Sequence, residues 1–490
     1  FDEMEAVRAF NSNLFLSMSK SSNDATDALS LTIWDYGGQT VFYTLHHLFL
    51  TKYGIYIMVF DMREAISNEG SCVDYLRFWL SSVKLHAPAA PVVAVGTFSA
   101  AIESDDELKE IDKIFKTILD VKDAYPQLCT NGNLHFIPVD NKTGHNVSAV
   151  REKIETLAKQ QDFVHQGVSL RWTKVLDEML EHQGDRSNWL EWSHARKIAA
   201  KYEIDNELDI MLDFFHELGV IVHLNATEAL RNIIVIKPQW LLEKLGKVIW
   251  DLDVHGGFYD TAEIRKVGLE KELFEFTDKG IISRDLLEYL WSGEQVDFLL
   301  DLMRRTLLLS DWGFNAESGD VRYLVPSMVS NGNFADAISG SKCVLNFEEA
   351  SLPEGVFQRL VCLCVAHSSR QKDTEEPKLC KLSAQIAFST ETLVSLEKKG
   401  DLIELTVTEN GKVSAAHCLS IVLSMLRKLN EDVMHGGLLW QLVFDRGVSY
   451  ETAKQSKLQP WFSAGNEDSV KKVYNAKLDH VDLGSFLDAL

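Results

Sequence analysis

Short apolar runs alternate with amphipathic stretches through the first third of the chain. Over 40–50, 71–85, 106–119 and 147–160, apolar side chains recur at helical spacing. Four short, mainly apolar runs have the length of buried strands: Leu29–Trp34, Tyr53–Phe60, Val92–Val95 and Leu134–Val139. The regular alternation of strand and helix predicts a doubly wound parallel sheet, which is an α/β fold.

The remaining two thirds of the chain have a different pattern. Residues 161–335 are mostly helical in spacing, and two short strand-like pieces at Val220–Leu224 and Ile233–Ile236 predict a small winged-helix-like unit. Residues 336–435 mix helical and strand patterns again. Gly and Ser breaks interrupt residues 436–490, which we predict to be a tail or linker.

Composition narrows the class of protein. The chain has 490 residues, of which 46% are hydrophobic and 25% charged, and this balance is typical of a folded globular protein. Its 49 Lys and Arg against 72 Asp and Glu give a net charge of −23, which excludes a general binder of nucleic-acid phosphates. Apolar runs are far too short for a transmembrane segment. Seven cysteines, an odd number and mostly far apart in sequence, indicate reduced thiols and a cytoplasmic location.

The predicted strand at Leu29–Trp34 leads directly into a candidate phosphate-sensing motif. It reads Asp35-Tyr36-Gly37-Gly38-Gln39. Asp35 is suited to hold Mg²⁺ through water, the Gly38 amide to approach a γ-phosphate, and Gln39 to orient an attacking water. The alternative is an ordinary Gly-Gly turn between a strand and a helix, with Gln39 in the first helical turn.

Further segments carry a resemblance to one protein family. Together with the motif at 35–39, the segments Val41–Thr51, Tyr53–Asp61 and Phe136–Gly144 resemble the Roc domain of ROCO-family proteins. The later segments resemble the COR region that follows Roc, in the family's order: Phe214–His223, Ile236–Leu241, Gly280–Ser283, Tyr323–Pro326 and Phe357–Val361. The resemblance extends over about residues 25 to 435.

The resemblance implies a domain organisation. It implies a partial, P-loop GTPase-like Roc sheet over 1–160 and a mainly helical, winged-helix-like COR-A over 161–335. An α/β COR-B over 336–435 and the tail at 436–490 follow. It also implies that Mg²⁺ and GTP or GDP bind where a phosphate-binding loop is present upstream. The residues that it points to are Asp35 for nucleotide and metal, Gln39 as the catalytic, water-orienting residue, and Gly38, Thr97, Asn141 and Lys142 for nucleotide.

Two departures from the family pattern weaken the nucleotide site. The sequence contains no Gly-x-x-x-x-Gly-Lys-Ser/Thr loop, and a working nucleotide site would need sequence upstream of Phe1 to supply it. The second departure lies at 97–100, where the family has Thr-His/Lys-x-Asp and the Asp binds both guanine N–H groups. Thr97 is retained, but Phe98 replaces the basic residue and Ala100 replaces the Asp.

Two functions therefore remain open. The first is a dimerising interaction or scaffold module of an intracellular signalling protein whose guanine-nucleotide site is degenerate. The second is a genuine GTP-hydrolysing switch that uses an upstream loop, within a parent chain that also carries a kinase. No Gly-rich kinase loop or His-Arg-Asp motif occurs in this chain, so kinase chemistry is not expected from it.

Apolar positions in the predicted COR-B region suggest how the protein assembles. The set in 413–429 is wider than one surface stripe, and 353–366 carries a second apolar face. We expect one domain to leave part of this area uncovered, and ROCO-like proteins pair through this half. The sequence therefore predicts a homodimer through 336–435, with other signalling proteins as further partners and no nucleic acid.

Overall fold

The computed structural model describes most of the chain. The described residues are 33–35, 49–102, 104–119, 125, 127–181, 188–249, 261–314, 321–332, 334, 338–348, 352–371, 374–408, 414–434, 438–444 and 447–462. Elements are numbered along these residues. They form two compact units, one with 33–35, 51–73 and the described part of 89–238, and the other with 49–50, 74–88 and the described part of 239–462.

A three-stranded parallel sheet opens the first unit. Its order is β1-β2-β3, and the strands are β1 (Tyr56–Asp61), β2 (Val92–Thr97) and β3 (Phe136–Pro138). The helices between and after the strands are α1 (Met62–Ser67), α2 (Glu69–His86), α3 (Asp105–Leu119) and α4 (Val147–Lys159). The predicted parallel α/β arrangement is confirmed for these elements. The predicted strand at 29–34 and helix at 40–50 lie almost entirely outside the described residues.

Aromatic packing and capping explain why these elements form. The rings of Phe60, Phe115 and Phe136 meet with centroids 5.4 to 5.7 Å apart beneath the sheet. At the start of α3, the Ser104 hydroxyl accepts from the Glu107 N–H while the Glu107 carboxylate accepts from the Ser104 N–H. This reciprocal pair satisfies two backbone donors of the helix end and fixes the loop that precedes the helix.

Residues 170–235 form a small antiparallel motif in the same unit. A three-stranded sheet has the order β4-β6-β5, in which the last strand of the motif lies between the first two. The elements, in chain order, are α5 (Leu170–Glu181), β4 (Trp189–Glu191), α6 (Trp192–Lys201), α7 (Leu208–Glu217), β5 (Val222–His223), α8 (Glu228–Arg231) and β6 (Ile233–Val235). Helical packing buries one core from Val175 to Ile236.

A second motif with the same strand order in its sheet occurs in the other unit, and no pattern in the sequence predicted it. Its sheet order is β7-β9-β8, so the last strand again lies between the first two. The elements are α9 (Pro238–Gly246), α10 (Thr261–Lys266), α11 (Glu270–Lys279), β7 (Ile281–Ser283), α12 (Arg284–Leu290), α13 (Val296–Arg305), β8 (Ser310–Trp312) and β9 (Arg322–Leu324). The region predicted as a single helical half thus contains two similar helix-and-sheet motifs.

A seven-stranded antiparallel sheet completes the second unit. Its order is β11-β12-β13-β14-β10-β15-β16. The strands are β10 (Ser341–Asn346), β11 (Lys378–Cys380), β12 (Ser383–Ala387), β13 (Leu393–Lys399), β14 (Leu402–Val407), β15 (Gln441–Phe444) and β16 (Val448–Ser449), with helices α14 (Val356–Ser368), α15 (Ala415–Asp432) and α16 (Tyr450–Gln455). The predicted mixture of helix and strand in this region is confirmed.

The core of the second unit buries the apolar faces of both α14 and α15. Phe357 and Leu360 of α14 and Leu419 and Met425 of α15 are each at most 2% exposed. They pack with inward side chains of the sheet in one continuous cluster. The expectation that these two helices leave apolar area uncovered is therefore wrong, because a seven-stranded sheet offers enough surface to bury them both.

The prediction that the chain continues as a tail from residue 436 is also wrong for 438–462. Strand β15 pairs with β10, with Leu442 opposite Leu345. Trp461 and Phe462 are each 2% exposed, and their rings lie 5.6 and 5.5 Å from the Phe444 ring. These residues belong to the sheet and its core, since the edge beside β10 would otherwise stay unpaired.

Candidate functional site

A cavity lies beyond the carboxyl ends of two adjacent parallel strands. Asp61 is paired with Thr97 at the ends of β1 and β2, and Gly96 is paired with Pro138 at the end of β3. The cavity has a volume of about 690 Å³. Its lining consists of Ser99, Ala100, Ile102, Ser104, Asp105, Leu108, Pro138, Asp140, Thr143 and His145. Ligands of open α/β sheets bind at this edge, because loops and helix starts converge there.

Thr97 closes β2 rather than facing the cavity. Its hydroxyl donates to the Phe60 carbonyl at 3.1 Å, and the residue is 9% exposed. This hydrogen bond joins the ends of β1 and β2. Thr97 therefore positions the loop that begins at Phe98.

Phe98 and Arg63 form a stacked pair next to that strand end. Phe98 has a left-handed backbone with φ of 62°, and its side chain is 45% exposed. The Arg63 guanidinium lies 3.5 Å from the centroid of the Phe98 ring. Asp61 holds the guanidinium at 2.7 Å, and this hydrogen bond lowers the pKa of the Asp61 carboxyl. Phe98, which stands where the family has a basic residue, thus has one face of its ring covered by the Arg63 guanidinium.

Ala100 lines the cavity where the family pattern has a carboxylate. The side chain of Ala100 is exposed and carries no polar atom. The neighbouring acid in the lining is Asp105, in the first turn of α3. The Ala100 side chain therefore cannot accept a hydrogen bond from a ligand.

The loop after β3 forms the other wall. The Asp140 Oδ1 accepts from the Lys142 N–H at 2.7 Å and from the Thr143 N–H at 3.1 Å. These two backbone donors lower the pKa of Asp140, so the group stays ionised at neutral pH. Asn146 donates from Nδ2 to the Pro138 carbonyl at 2.9 Å and holds the far end of the loop.

The structure brings only part of the predicted site together. Ala100 lies in the cavity wall, whereas Asn141 and Lys142 are exposed in the adjacent loop without being part of its lining. Asp35 is exposed at the end of the short segment 33–35, and Gly38 and Gln39 lie outside the described residues.

The lining residues that the sequence did not select include Asp140, Thr143 and His145, which follow β3. The run Asp140-Asn141-Lys142-Thr143-Gly144 contained a signal for the first two, since an Asp followed by polar residues and Gly is typical of a turn closed by the Asp side chain. No sequence signal marks His145.

Neither a metal-ligand cluster nor a membrane-spanning helix occurs among the described residues. In that part of the chain, no three His, Cys, Asp or Glu side chains converge in a way that would hold a metal ion. Of the helices described, none is both long and apolar enough to cross a membrane. All seven cysteines are free thiols, and burial raises the pKa of Cys343, Cys362 and Cys364 far above the ordinary thiol range.

Two family models match the chain in the order that this fold presents. Residues 5–99 match "Ras of Complex, Roc, domain of DAPkinase", and residues 169–329 match "C-terminal of Roc, COR-A domain". A parallel α/β domain followed by a COR-A region defines a Roc-COR protein. The chain belongs to the ROCO family.

Known proteins with similar sequences are much longer than this chain. The probable serine/threonine-protein kinase pats1 of Dictyostelium discoideum is 24% identical over 428 residues, which cover 82% of this chain and 12% of that protein. Leucine-rich repeat serine/threonine-protein kinase 1 of Mus musculus is 22% identical, over 46% of this chain and 12% of its own length. A Roc-COR-CHAT protease of Runella zeae is 20% identical, over 53% of this chain and 26% of its own length.

One solved structure shows a partial similarity to this chain. It is described as the structure of Methanosarcina barkeri Roco2 RocCORdC bound to GDP. Its sequence is 18% identical, the TM-score is 0.41, and the alignment covers 60% of this chain and 79% of that one.

Proposed function

We propose that this chain is the Roc-COR region of a cytoplasmic signalling protein and acts mainly as a dimerising interaction module with a degenerate guanine-nucleotide site. The observation that carries the proposal is Ala100, which puts a methyl group in the cavity wall. A carboxylate accepting two N–H groups there contributes charge-assisted hydrogen bonds of roughly 1.5–3 kcal/mol each, and an alanine contributes none.

The similar proteins support a modular role. Segments like this one occur in proteins named as kinases, as a cyclic GMP-binding protein and as a protease. These activities have no chemistry in common with each other. A region that accompanies all of them is suited to assemble or regulate its neighbours.

Nucleotide titration tests the degenerate site. We expect calorimetry of residues 1–490 with GDP, or with GTP and Mg²⁺, to detect no sub-micromolar binding, and we expect no measurable GTP hydrolysis. The reason is that neither a guanine-reading carboxylate at position 100 nor a phosphate-binding loop occurs in this sequence. Sub-micromolar binding of GDP would contradict the proposal.

The second candidate function is a GTP-hydrolysing switch that operates with an upstream phosphate-binding loop and, in a parent chain, beside a kinase. The motif Asp35-Tyr36-Gly37-Gly38-Gln39 favours it. In a longer chain that contains such a loop, with Mg²⁺ and GTP, Gln39→Ala is expected to slow hydrolysis more than it weakens GDP binding. Equal effects on hydrolysis and binding would make Gln39 a structural residue.

We propose the homodimer through 336–435 on the family resemblance and on one surface feature. The sheet face opposite the helices carries both charges: Lys342 pairs with Glu404 at 2.8 Å, and Lys399 pairs with Glu397 at 2.8 Å and with Glu404 at 3.0 Å. A surface that carries both signs can complement itself across a two-fold axis. Large exposed apolar side chains are scarce there, since Leu382 is the single example in the described part of 336–435.

Hydrogen exchange at two protein concentrations tests the dimer. Light scattering of residues 1–490 should give twice the monomer mass, and dilution should increase amide exchange within 336–435. Residues 188–249 serve as the internal control, whose exchange should not change with dilution. A monomer at all concentrations, or dilution-sensitive exchange confined to other segments, would place the proposal in error.

A further inference from the structure

A second cavity lies within the second unit and shares no lining residue with the cavity at the strand ends. Its volume is about 360 Å³, which lies within the usual range for small-molecule pockets. One wall is the stretch of α2 that contains Asp74, Arg77 and Phe78. The other walls include the segment 352–354, which precedes α14, and the turn between β13 and β14. Segments that are far apart in sequence therefore enclose this cavity.

Contacts outside the cavity hold two of its walls in place. Leu85 of α2 packs against the core of the second unit. In the turn between β13 and β14, the Asp401 carbonyl accepts from the Phe347 N–H at 3.0 Å, and the Asp401 Oδ1 accepts from the Leu352 N–H at 2.8 Å. The Asp401 side chain is thereby fixed before a ligand binds, so little of its conformational freedom is lost on binding.

Three charged groups of the lining have unused hydrogen-bonding capacity. Within the described part of the chain, the Arg77 guanidinium has no hydrogen bond or ion pair, and the same holds for the Asp74 carboxylate and for the Oδ2 of Asp401. Lys398 differs, because its Nζ pairs with the Glu354 carboxylate at 2.8 Å. Arg77 is half-buried, so its guanidinium has lost part of its water without gaining an anion.

These charges select the class of ligand. A phosphate or another simple anion would suit Arg77 but would be repelled by Asp74 and Asp401. A simple organic cation would suit the two carboxylates and would leave the guanidinium unpaired. A metal ion is not favoured either, because no three His, Cys, Asp or Glu side chains of the described chain converge on one point. The lining therefore fits a ligand that carries one anionic and one cationic group.

The uncharged part of the lining is largely apolar. Phe78, Leu352, Pro353 and Leu382 contribute side chains without a polar atom. Leu382 is 50% exposed, so apolar surface remains there for a ligand to cover. A small zwitterion with an apolar side chain complements both the charged and the apolar parts of the lining.

We infer that this cavity binds a free α-amino acid with an apolar side chain. Arg77 donates to the α-carboxylate, and the α-ammonium group donates to Asp401 and Asp74. The apolar side chain packs on Phe78 and Leu382. This site goes beyond the proposed function, because it depends neither on the nucleotide cavity nor on the dimer. A bound amino acid contacts both α2 and the turn between β13 and β14, so it stabilises the second unit.

NMR titration of residues 1–490 with L-leucine tests the inference. We expect a dissociation constant of about 0.1–1 mM. N-acetyl-L-leucine lacks the ammonium group and L-leucinamide lacks the carboxylate, so each should bind at least about tenfold more weakly through the loss of charge-assisted hydrogen bonds. Glycine, which lacks the apolar side chain, should also bind at least about tenfold more weakly.

Two variants assign the charged contacts. Arg77→Gln should weaken L-leucine about tenfold but change L-leucinamide less than about threefold, because the amide has no carboxylate for Arg77 to bind. Asp401→Asn keeps an oxygen for the Leu352 N–H and should weaken L-leucine about tenfold while leaving N-acetyl-L-leucine within about threefold. Arg305→Gln is the matched control, since Arg305 is exposed on α13 outside the lining and should leave all affinities unchanged. Circular dichroism checks that each variant is folded.

Each contrary outcome overturns the inference in a different way. Absence of binding by L-leucine at about 10 mM would eliminate the site. Equal affinity for L-leucine and either of its blocked forms would show that the cavity does not read a zwitterion. Tighter binding of the dipeptide L-leucylglycine would assign the cavity to a peptide amino terminus, and an unchanged affinity in Arg77→Gln would place L-leucine elsewhere. None of these results alters the nucleotide titration or the exchange experiment that test the proposed function.

Discussion

At the scale of single residues, the strand end of β2 shows how one hydroxyl organises a site. Thr97 is selected by the family pattern as a nucleotide contact, but in the fold its hydroxyl donates to Phe60 and is 9% exposed. The next residue, Phe98, then takes a left-handed backbone that costs an L-residue roughly 1–2 kcal/mol. The Thr97 hydrogen bond helps to hold this strained turn.

Thr97→Val should therefore destabilise the first unit. The change keeps the shape of the side chain and leaves the buried Phe60 carbonyl with one donor fewer, so we expect a loss of about 1–2 kcal/mol in the free energy of unfolding. Urea denaturation, monitored through the intrinsic fluorescence of the first unit, measures this loss of free energy. Thr143→Val, at an exposed position, is the control and should cost less than about 0.5 kcal/mol. Equal losses for both variants would count against the role given to Thr97.

Two buried histidines predict a decline of stability in mild acid. Burial lowers the pKa of His216 and of His223, although hydrogen bonds to the Ile221 and Arg231 carbonyls and the nearby carboxylates of Asp209, Asp213 and Glu217 partly oppose the shift. The folded state then binds fewer protons than the unfolded state below the ordinary histidine pKa of about 6.5. Stability should be constant from pH 8 to 7 and fall progressively below about 6.5.

Melting temperatures across pH 5 to 8 measure this effect. The double variant His216→Gln, His223→Gln is expected to have a lower melting temperature at pH 8 but a flatter profile between pH 7 and 5, because two proton-binding groups of the unfolded chain are gone. His145→Gln, at an exposed position, should leave the profile unchanged. A double variant with the same slope as the wild type would exclude these histidines as the cause.

At the scale of elements, β1 carries apolar side chains that its own sheet does not cover. Ile57 and Val59 on one face of β1 are 45% and 48% exposed. Neighbouring exposed apolar side chains form a surface prone to self-association.

A fragment of residues 1–160 should therefore aggregate or unfold without cooperativity. Scanning calorimetry and light scattering measure this directly, with residues 1–490 as the reference. A fragment extended upstream by a further strand should behave better, because in Roc-like sheets such a strand lies beside the strand at 54–60 and pairs with it. Cooperative melting of monomeric 1–160 above about 50 °C would falsify the expectation.

At the scale of the whole molecule, the last described segment closes the core of the second unit. Trp461 is 2% exposed and its ring packs on Phe444, while the ring of the next residue, Phe462, packs on Phe444 and Tyr450. Trp461→Ala should cost about 3–5 kcal/mol, since truncation of a large buried ring leaves a cavity. Leu439→Ala is the matched control, because Leu439 is 57% exposed and should cost little. Thermal unfolding monitored by circular dichroism distinguishes the two, and a small loss for Trp461→Ala would restore the tail interpretation.

The sequence by itself determined the elements whose periodicity is strong. The predicted strands at 53–60, 92–95 and 134–139, and the helices at 71–85, 106–119 and 147–160, all correspond to observed elements. Continuous apolar runs and helical spacing are local properties, and burial of those side chains drives each element to form. The family motifs also lie in short contiguous segments, so they are visible in the sequence without any knowledge of tertiary contacts.

Only the tertiary structure decided which surfaces each element uses. Helices α14 and α15 looked too apolar for one domain, yet a seven-stranded sheet buries them both, and periodicity does not report how many strands a partner sheet has. The segment 438–462 looked like a tail because its strand is only four residues long, and its place beside β10 arises from long-range pairing. Asp140, Thr143 and His145 joined Ala100 in one cavity for the same reason: parallel strands bring distant loops to one edge, and no local pattern records which side chains meet there.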